Sequence, residues 1–414
     1  MEALPGNSNS WKLYYTTDTA WEAMYEACKN AKYSIKMEQY IFENDECGNL
    51  FLELFIKKAA GGVKIFLICD MFGSMSIYNS PLIKKLKENG AEVYFYNKII
   101  WKKLIMPWRC FPRTHVKTLL IDSEIVFTGG VCLAWRMHKW RDTHIRITGP
   151  VASLVEQSFA DITKLIKKKH FHLRKRITHE KDGFIPSCIQ RTSRRARRGG
   201  RKRRLTTCAP TRPMHDNLVQ RVQFGITYLI SQPSIFKNTI YKTFKNAIIH
   251  AKQEIYISTS FFVPNKHFMR LLMRASRRGV KIYLLVPEYS DVKLADLIFL
   301  SYAKPLLKSG IKIYCYNKSV LHCKTMVVDG NWSTIGSVNM DILSFFYNRE
   351  ANIICTNPQM AAELKRQFKM DLKFSKKLTL KNLQDRPLLK KILGYCGRGL
   401  KLFFQARMPD KEAK

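Results

Sequence analysis

Acidic residues are scarce in this chain: 32 Asp and Glu stand against 71 Lys and Arg, a formal net charge of +39 over 414 residues. So large a deficit excludes a chain indifferent to polyanions and calls for an anionic partner, either nucleic acid or an acidic membrane surface. Composition does not choose between them. Also missing is any Cys-x-x-Cys pair or zinc-finger spacing among the 11 cysteines, whose number is odd. They read as mostly free thiols in a reducing compartment, with small buried apolar roles. No uninterrupted apolar run is long enough to span a bilayer. The opening Met1-Glu2-Ala3-Leu4-Pro5 lacks both the basic and the apolar region of a secretory signal. Any membrane attachment is therefore expected to be peripheral. What the chain does have is 46% apolar residues, enough for real cores, and length for two ordinary domains.

It also has one short pattern written twice. His115-Val116-Lys117 is followed by Asp122 and then Gly129-Gly130; His322-Cys323-Lys324 is followed by Asp329 and then Gly336-Ser337-Val338-Asn339. Both read H-x-K-x4-D-x6-G. A histidine and a lysine two apart on a strand share a face, so one can attack or shuttle protons while the other holds an anion. Two such pairs facing each other could serve both sides of a phosphorus centre.

The repeat reaches well beyond the motif. The strand-like run Tyr33–Phe42 matches Glu254–Phe262, and helical stretches at Leu50–Ala60 and Lys266–Arg278 each end at glycine. Gly62-Val63-Lys64-Ile65-Phe66-Leu67 matches Gly279-Val280-Lys281-Ile282-Tyr283-Leu284, and Gly90–Asn97 matches Gly310–Asn317. Each half is thus β-α-β-α-β followed by the motif strands. That order predicts an α/β fold of two tandem α-β-α sandwich domains on mixed sheets, related by a pseudo-two-fold axis.

Three stretches break the symmetry. Before its motif the first half carries an inserted apolar and basic loop, 98–114, with Trp101, Lys102, Lys103, Trp108 and Arg109. Tryptophan beside cationic residues suits a membrane interface, so these five are candidate membrane contacts. Residues 164–213 include Arg194-Arg195-Ala196-Arg197-Arg198 and read as a basic, flexible linker. Adhesion to anionic lipid and contact with nucleic acid are its two functional readings. The tail 381–414 alternates apolar and basic patches. The expected domains are then 1–163, with the insertion, and 214–380, separated by the linker 164–213 and followed by the tail.

The paired motifs resemble the phospholipase D superfamily. Gly129-Gly130, Trp140-Arg141-Asp142, Arg146 with Gly149-Pro150, and Asn348-Arg349-Glu350 narrow the resemblance to bacterial cardiolipin synthases of the short form without transmembrane helices. It covers about Lys12 to Cys355. The first motif places Cys132 where the second has Asn339, which weakens one hydrogen-bond donor.

These parts fit phosphodiester exchange. Lys117 and Lys324 are the charged donors to phosphate oxygens; Ser337, Asn339 and the backbone at Gly130 are the neutral ones. An imidazole is a competent nucleophile when a carboxylate fixes its other nitrogen, and Asp142 and Glu350 are placed to do this for His115 and His322. The resemblance implies that His115 forms a phosphohistidine and His322 moves the protons. Asp122 and Asp329 belong to the catalytic motif, with a structural role near the junction of the halves as the expected one. No metal or cofactor is expected. The resemblance implies a phosphatidyltransferase joining a phosphatidyl group to phosphatidylglycerol, with phosphatidylglycerol or phosphatidylethanolamine as donor, at the cytoplasmic face of the cell membrane. One molecule suffices for the site. Hydrolysis to phosphatidic acid, and nuclease action on DNA or RNA, are the alternatives.

Overall fold

The computed structural model describes residues 9–97, 112–181, 225–233 and 238–385, with the backbone alone for 168–181 and Leu294. The first half runs β1 (Ser10–Thr16), α1 (Thr17–Lys29), β2 (Ser34–Gln39), α2 (Glu46–Ala60), β3 (Lys64–Asp70), α3 (Pro81–Glu88), β4 (Glu92–Tyr96), β5 (Lys117–Ile121), β6 (Ile125–Gly129), β7 (Arg141–Thr148) and α4 (Val151–Lys181). The second runs β8 (Ile226–Ser231), α5 (Thr239–His250), β9 (Glu254–Ser258), β10 (Phe262–Val263), α6 (Lys266–Arg277), β11 (Lys281–Pro287), α7 (Lys293–Lys308), β12 (Lys312–Tyr316), β13 (Thr325–Val328), β14 (Trp332–Gly336), β15 (Met340–Asp341), β16 (Glu350–Thr356), α8 (Pro358–Leu372), β17 (Ser375–Leu378) and α9 (Leu380–Gln384).

Local chemistry places these elements. Asp45 caps α2 through the N–H of Gly48, so the helix starts earlier than its apolar periodicity suggests. Asn238, Asn265 and Asn357 cap α5, α6 and α8 in the same way. After α2 and α6 the chain turns into the next strand through Gly62 and Gly279, both left-handed at φ +86° and +95°.

The sheet orders are β1-β7-β6-β5-β2-β3-β4 and β17-β12-β11-β9-β13-β14-β16-β8. Apart from the added β17, the two sheets have the same strand order, with β8 the equivalent of β1 and β12 of β4. In each sheet the first three strands after the opening helix pair in parallel and the rest pair antiparallel. One core fills the outer face of each sheet, against α1–α3 in one half and α5–α7 in the other. A third core is shared: Leu120, Val126 and Ile147 meet Val327, Ile335 and Ile353 with Phe159 of α4 and Phe368 of α8 between them. With both faces covered, all five residues of β5 are buried, the polar Lys117 and Thr118 included.

The tandem α/β architecture is as expected from the repeat. The first part of the expected flexible linker is helix, because α4 continues to Lys181. The rest of that linker, the five candidate membrane residues Trp101, Lys102, Lys103, Trp108 and Arg109, and the tail beyond Asp385 lie outside the described residues. All seven described cysteines are buried. Among the described residues no helix is long and apolar enough to cross a membrane, and no group of His, Cys, Asp or Glu is arranged to hold a metal ion.

Candidate active site

Both H-x-K motifs enter their sheets at the same kind of place, the start of β5 and of β13, and there the two halves are stitched together. The His115 N–H donates to the Arg349 carbonyl at 2.8 Å, and the His322 N–H donates to the Arg141 carbonyl at 2.8 Å. The reciprocal bonds, Arg349 N–H to Arg113 O and Arg141 N–H to Val320 O, close two matching bridges. Each motif is thereby laid beside the acid-bearing strand of the opposite half.

That crossing decides the pairing. His115 Nδ1 lies 2.9 Å from Glu350 Oε2, and His322 Nδ1 lies 2.7 Å from Asp142 Oδ2. The pairing in chain order, Asp142 with His115 and Glu350 with His322, is therefore corrected: each carboxylate serves the histidine of the other half. With Nδ1 engaged, Nε2 is the nitrogen left for chemistry on both rings. The His115 ring also meets Tyr40 edge-on at 4.6 Å, and the His322 ring leans on Trp140 at 5.5 Å.

The lysines are buried and held by their own motifs. Lys117 Nζ donates to the His115 carbonyl at 2.7 Å and sits 5.0 Å over the Tyr40 ring. Lys324 Nζ donates to the His322 carbonyl and to Ser260 Oγ, the latter at 2.7 Å. Burial pushes both ammonium groups down from their usual range, Lys324 to about 8. Burial also lowers both histidines, His115 strongly, with Lys117 and Lys324 adding to the effect on His115.

The two carboxylates differ. Burial would raise Asp142, but His322, Lys324 and the Thr143 N–H outweigh it and hold the group below its usual range. Burial prevails at Glu350 and pushes it up to about 8. Its Oε2 is shared by His115 and the Ser337 hydroxyl, and Oε1 has no hydrogen bond of good geometry, with Ser344 nearby. Asp142 with His322 thus forms a charge-supporting pair. Glu350 with His115 favours the neutral imidazole.

Several expected site residues take other duties. The Gly130 N–H donates to Thr143 O, so it is not offered to phosphate. Glycine is needed there because a Cβ would stand 2.0 Å from Asp142 Oδ1. Gly130→Ala should push Asp142 off His322 and lower kcat by at least about 10²-fold while circular dichroism stays unchanged; wild-type turnover would refute the spacing argument. Ser337 gives its hydroxyl to Glu350 rather than facing a ligand. Asn339 is buried with its amide oxygen unpartnered, and Cys132, its counterpart, is buried beside Lys117. Asp122 and Asp329 lie at the far ends of β5 and β13, away from the junction. Each takes three backbone N–H groups, of residues 32–34 and 252–254 respectively, at 2.7–3.0 Å. They pin the turn into β2 and β9.

Two arginines were missed. Arg141 and Arg349 each precede the crossed acid, and each reaches back into the opposite half. Arg141 makes a bidentate pair with Asp371 of α8, Nε–Oδ1 at 2.9 Å and Nη2–Oδ2 at 2.7 Å. Arg349, fully buried, pairs with Glu38 of β2 at 2.9 and 3.2 Å and with Ser158 Oγ of α4 at 2.8 Å. Glu38 also accepts from the Thr114 hydroxyl, next to His115. The repeated dipeptide, Arg-Asp in one half and Arg-Glu in the other, was the signal in the sequence.

Comparison with known proteins places the chain in a family. The family model described as "Cardiolipin synthase, PLD-like domain" matches residues 24–163 and 244–372, more than half of the chain. Cardiolipin synthase of Clostridium perfringens (strain SM101 / Type A) is 30% identical over 93% of this chain and 75% of its own length. Cardiolipin synthase 1 of Bacillus anthracis is 27% identical over 92% of this chain and 70% of its own. The crystal structure of phosphatidylserine synthase from Haemophilus influenzae Rd KW20 superposes with a TM-score of 0.63, over 96% of this chain and 93% of that one. At 12% identity that likeness speaks for the fold alone. With its duplicated motif, its mixed sheets and a family match in both halves, the chain belongs to the cardiolipin synthase family of phospholipase D-like phosphatidyltransferases.

Proposed function

We propose that this enzyme makes cardiolipin by moving a phosphatidyl group onto phosphatidylglycerol through a phosphohistidine. The observation that carries the reading is the crossed carboxylates, which leave two differently biased Nε2 atoms beside two buried ammonium groups. Neutral His115 attacks phosphorus; the P–O bond to the leaving alcohol breaks as a P–N bond forms. His322, whose positive charge Asp142 supports against the lowering effect of burial, enters as imidazolium and gives its proton to that alcohol. The hydroxyl of a second phosphatidylglycerol then loses its proton to His322 and displaces His115. Lys117 and Lys324 carry the charge of the nonbridging oxygens throughout. With phosphatidylglycerol as donor the by-product is glycerol; water as acceptor gives phosphatidic acid. The proposed partners are phospholipids and an anionic membrane surface, with peripheral attachment at the cytoplasmic face.

Labelled phosphatidylglycerol incubated with the purified protein and a chelator should yield cardiolipin. Cleavage of DNA with no lipid product would replace this reading with a nuclease. Across pH, kcat/KM should fall above about 8. There buried Lys324 loses its proton and the attraction it supplies, while Glu350 gains a negative charge that repels an anionic substrate. An alkaline limb two or more units higher would contradict that assignment.

A further inference from the structure

Strand direction sorts the loops into two ends. The site lies where β2, β3, β4 and β6 finish, at Gln39, Asp70, Tyr96 and Gly129, and at the matching end of the second sheet. The loops at this end carry Phe72 and Met75 after β3, Trp135 after β6, Tyr289 and Val292 after β11, and Leu343 after β14 and β15. All six are exposed, Tyr289 at 75% and Phe72 at 61%. The placement is matched across the halves, since Phe72 follows β3 as Tyr289 follows β11. At the opposite end the short turns 30–33, 61–63, 89–91, 278–280 and 309–311 hold Lys, Arg, Asn and Gly with Tyr33 as their one exposed large apolar residue, and Ile249 and Leu380 are exposed near that end. The collar is close to the chemistry: the Phe72 ring lies 5.4 Å from the guanidinium of Arg113, two residues before His115.

We propose that these six side chains are a docking collar that seats the molecule on an anionic phospholipid bilayer with the site facing the lipid. The proposal deepens the phospholipid reading above and rests on it. A bilayer fits better than a second protein copy, because the apolar groups are separate loop tips around a mouth rather than one packed face. A substrate anchored by acyl chains must also present its phosphate to histidines that are almost fully buried, which requires the mouth to meet the lipid surface. Asn97 and Pro112, which bound the Trp-rich basic stretch, meet at this same end through a 2.8 Å hydrogen bond from Asn97 Nδ2 to Pro112 O. Exposed Lys139, Lys293 and Lys318 stand at this end with exposed Glu46 and Asp291, and the chain's charge of +39 favours an anionic surface.

The test uses the full chain carrying Phe72→Ser with Tyr289→Ser. Sedimentation with phosphatidylglycerol–phosphatidylcholine vesicles is read in about 0.5 M salt, which screens attraction by the basic runs and leaves apolar insertion. The vesicle partition coefficient should fall by about tenfold or more, while turnover of a short-chain phosphatidylglycerol below its micelle concentration stays at the wild-type rate. An unchanged partition would overturn the collar. So would an equal loss on the monomeric lipid, which would make these residues part of the site. A wild-type dimer that the substitutions dissociate would assign the face to a second copy and overturn it too. If the unaltered protein turns over neither lipid form, the enzymatic reading fails, and the vesicle partition alone decides the docking surface.

Discussion

His115→Ala should abolish phosphatidyl transfer, with a loss of about 10⁴-fold or more, because the proposed P–N bond is made by its Nε2. His322→Ala should be nearly as damaging with natural lipid, but for a different reason, and the difference can be read directly. A phosphatidyl ester of p-nitrophenol has a leaving group that departs without a proton. On this substrate His322→Ala should release one equivalent of nitrophenolate per enzyme in a burst and then stall. Its phosphohistidine waits for a base to activate the acceptor. His115→Ala should give no burst. A burst from His115→Ala and none from His322→Ala would exchange the two roles. The expectation rests on the unequal pairs: Asp142, kept ionised, supports a charged His322, whereas Glu350, pushed up by burial, leaves His115 neutral.

The largest effect on stability is expected at Arg349, a fully buried guanidinium clamped by Glu38 and Ser158. Arg349→Met should cost about 3–5 kcal/mol in chemical denaturation, because Glu38 is left charged and buried without its partner. Replacing both, as Glu38→Met with Arg349→Met, should recover more than half of that loss, since the orphaned charge is the main cost. Equal stability of the single and double variants would show that packing of the arginine stem matters more than its charge. The exposed pair Lys84–Glu88, at 3.9 Å, offers the contrast: breaking it should change stability by less than about 1 kcal/mol. Arg349→Met should also lower kcat, because the lost guanidinium clamp fixes the backbone that holds the His115 N–H and leads into Glu350.

Much of this was legible in the sequence because it is periodic or repeated. The duplicated H-x-K-x4-D found both histidines and both lysines, and the matched strand and helix runs gave the tandem α/β order. The acids Asp142 and Glu350 were also found, but not which histidine each serves. Chain order suggests the near partner, whereas the pairing is set by backbone bridges between Arg113–His115 and Arg349, and between Val320–His322 and Arg141. Contacts of that kind join residues more than 170 positions apart and leave no local signature. Gly130 and Ser337 were misread for a related reason. Their small size signals a close approach, but not whether the neighbour is a ligand or a carboxylate. The end of α4 was missed because a like-charge run reads as solvated chain, while the helix carries it on to Lys181.

The exchanged carboxylates make neither half a working unit. Cut anywhere between Asp142 and His322, each fragment keeps an intact H-x-K and loses the acid that orients it, so a single proteolytic clip there that let the halves separate would silence both histidines at once. A primitive form holding one copy of the motif would have needed two chains side by side to complete a reaction centre. Joining the copies in one polypeptide replaces that encounter with a tether and keeps the partner always at high local concentration. It also frees the copies to drift apart. Glycine facing aspartate in one half and serine facing glutamate in the other record such divergence, two inherited equals that no longer hold their protons alike.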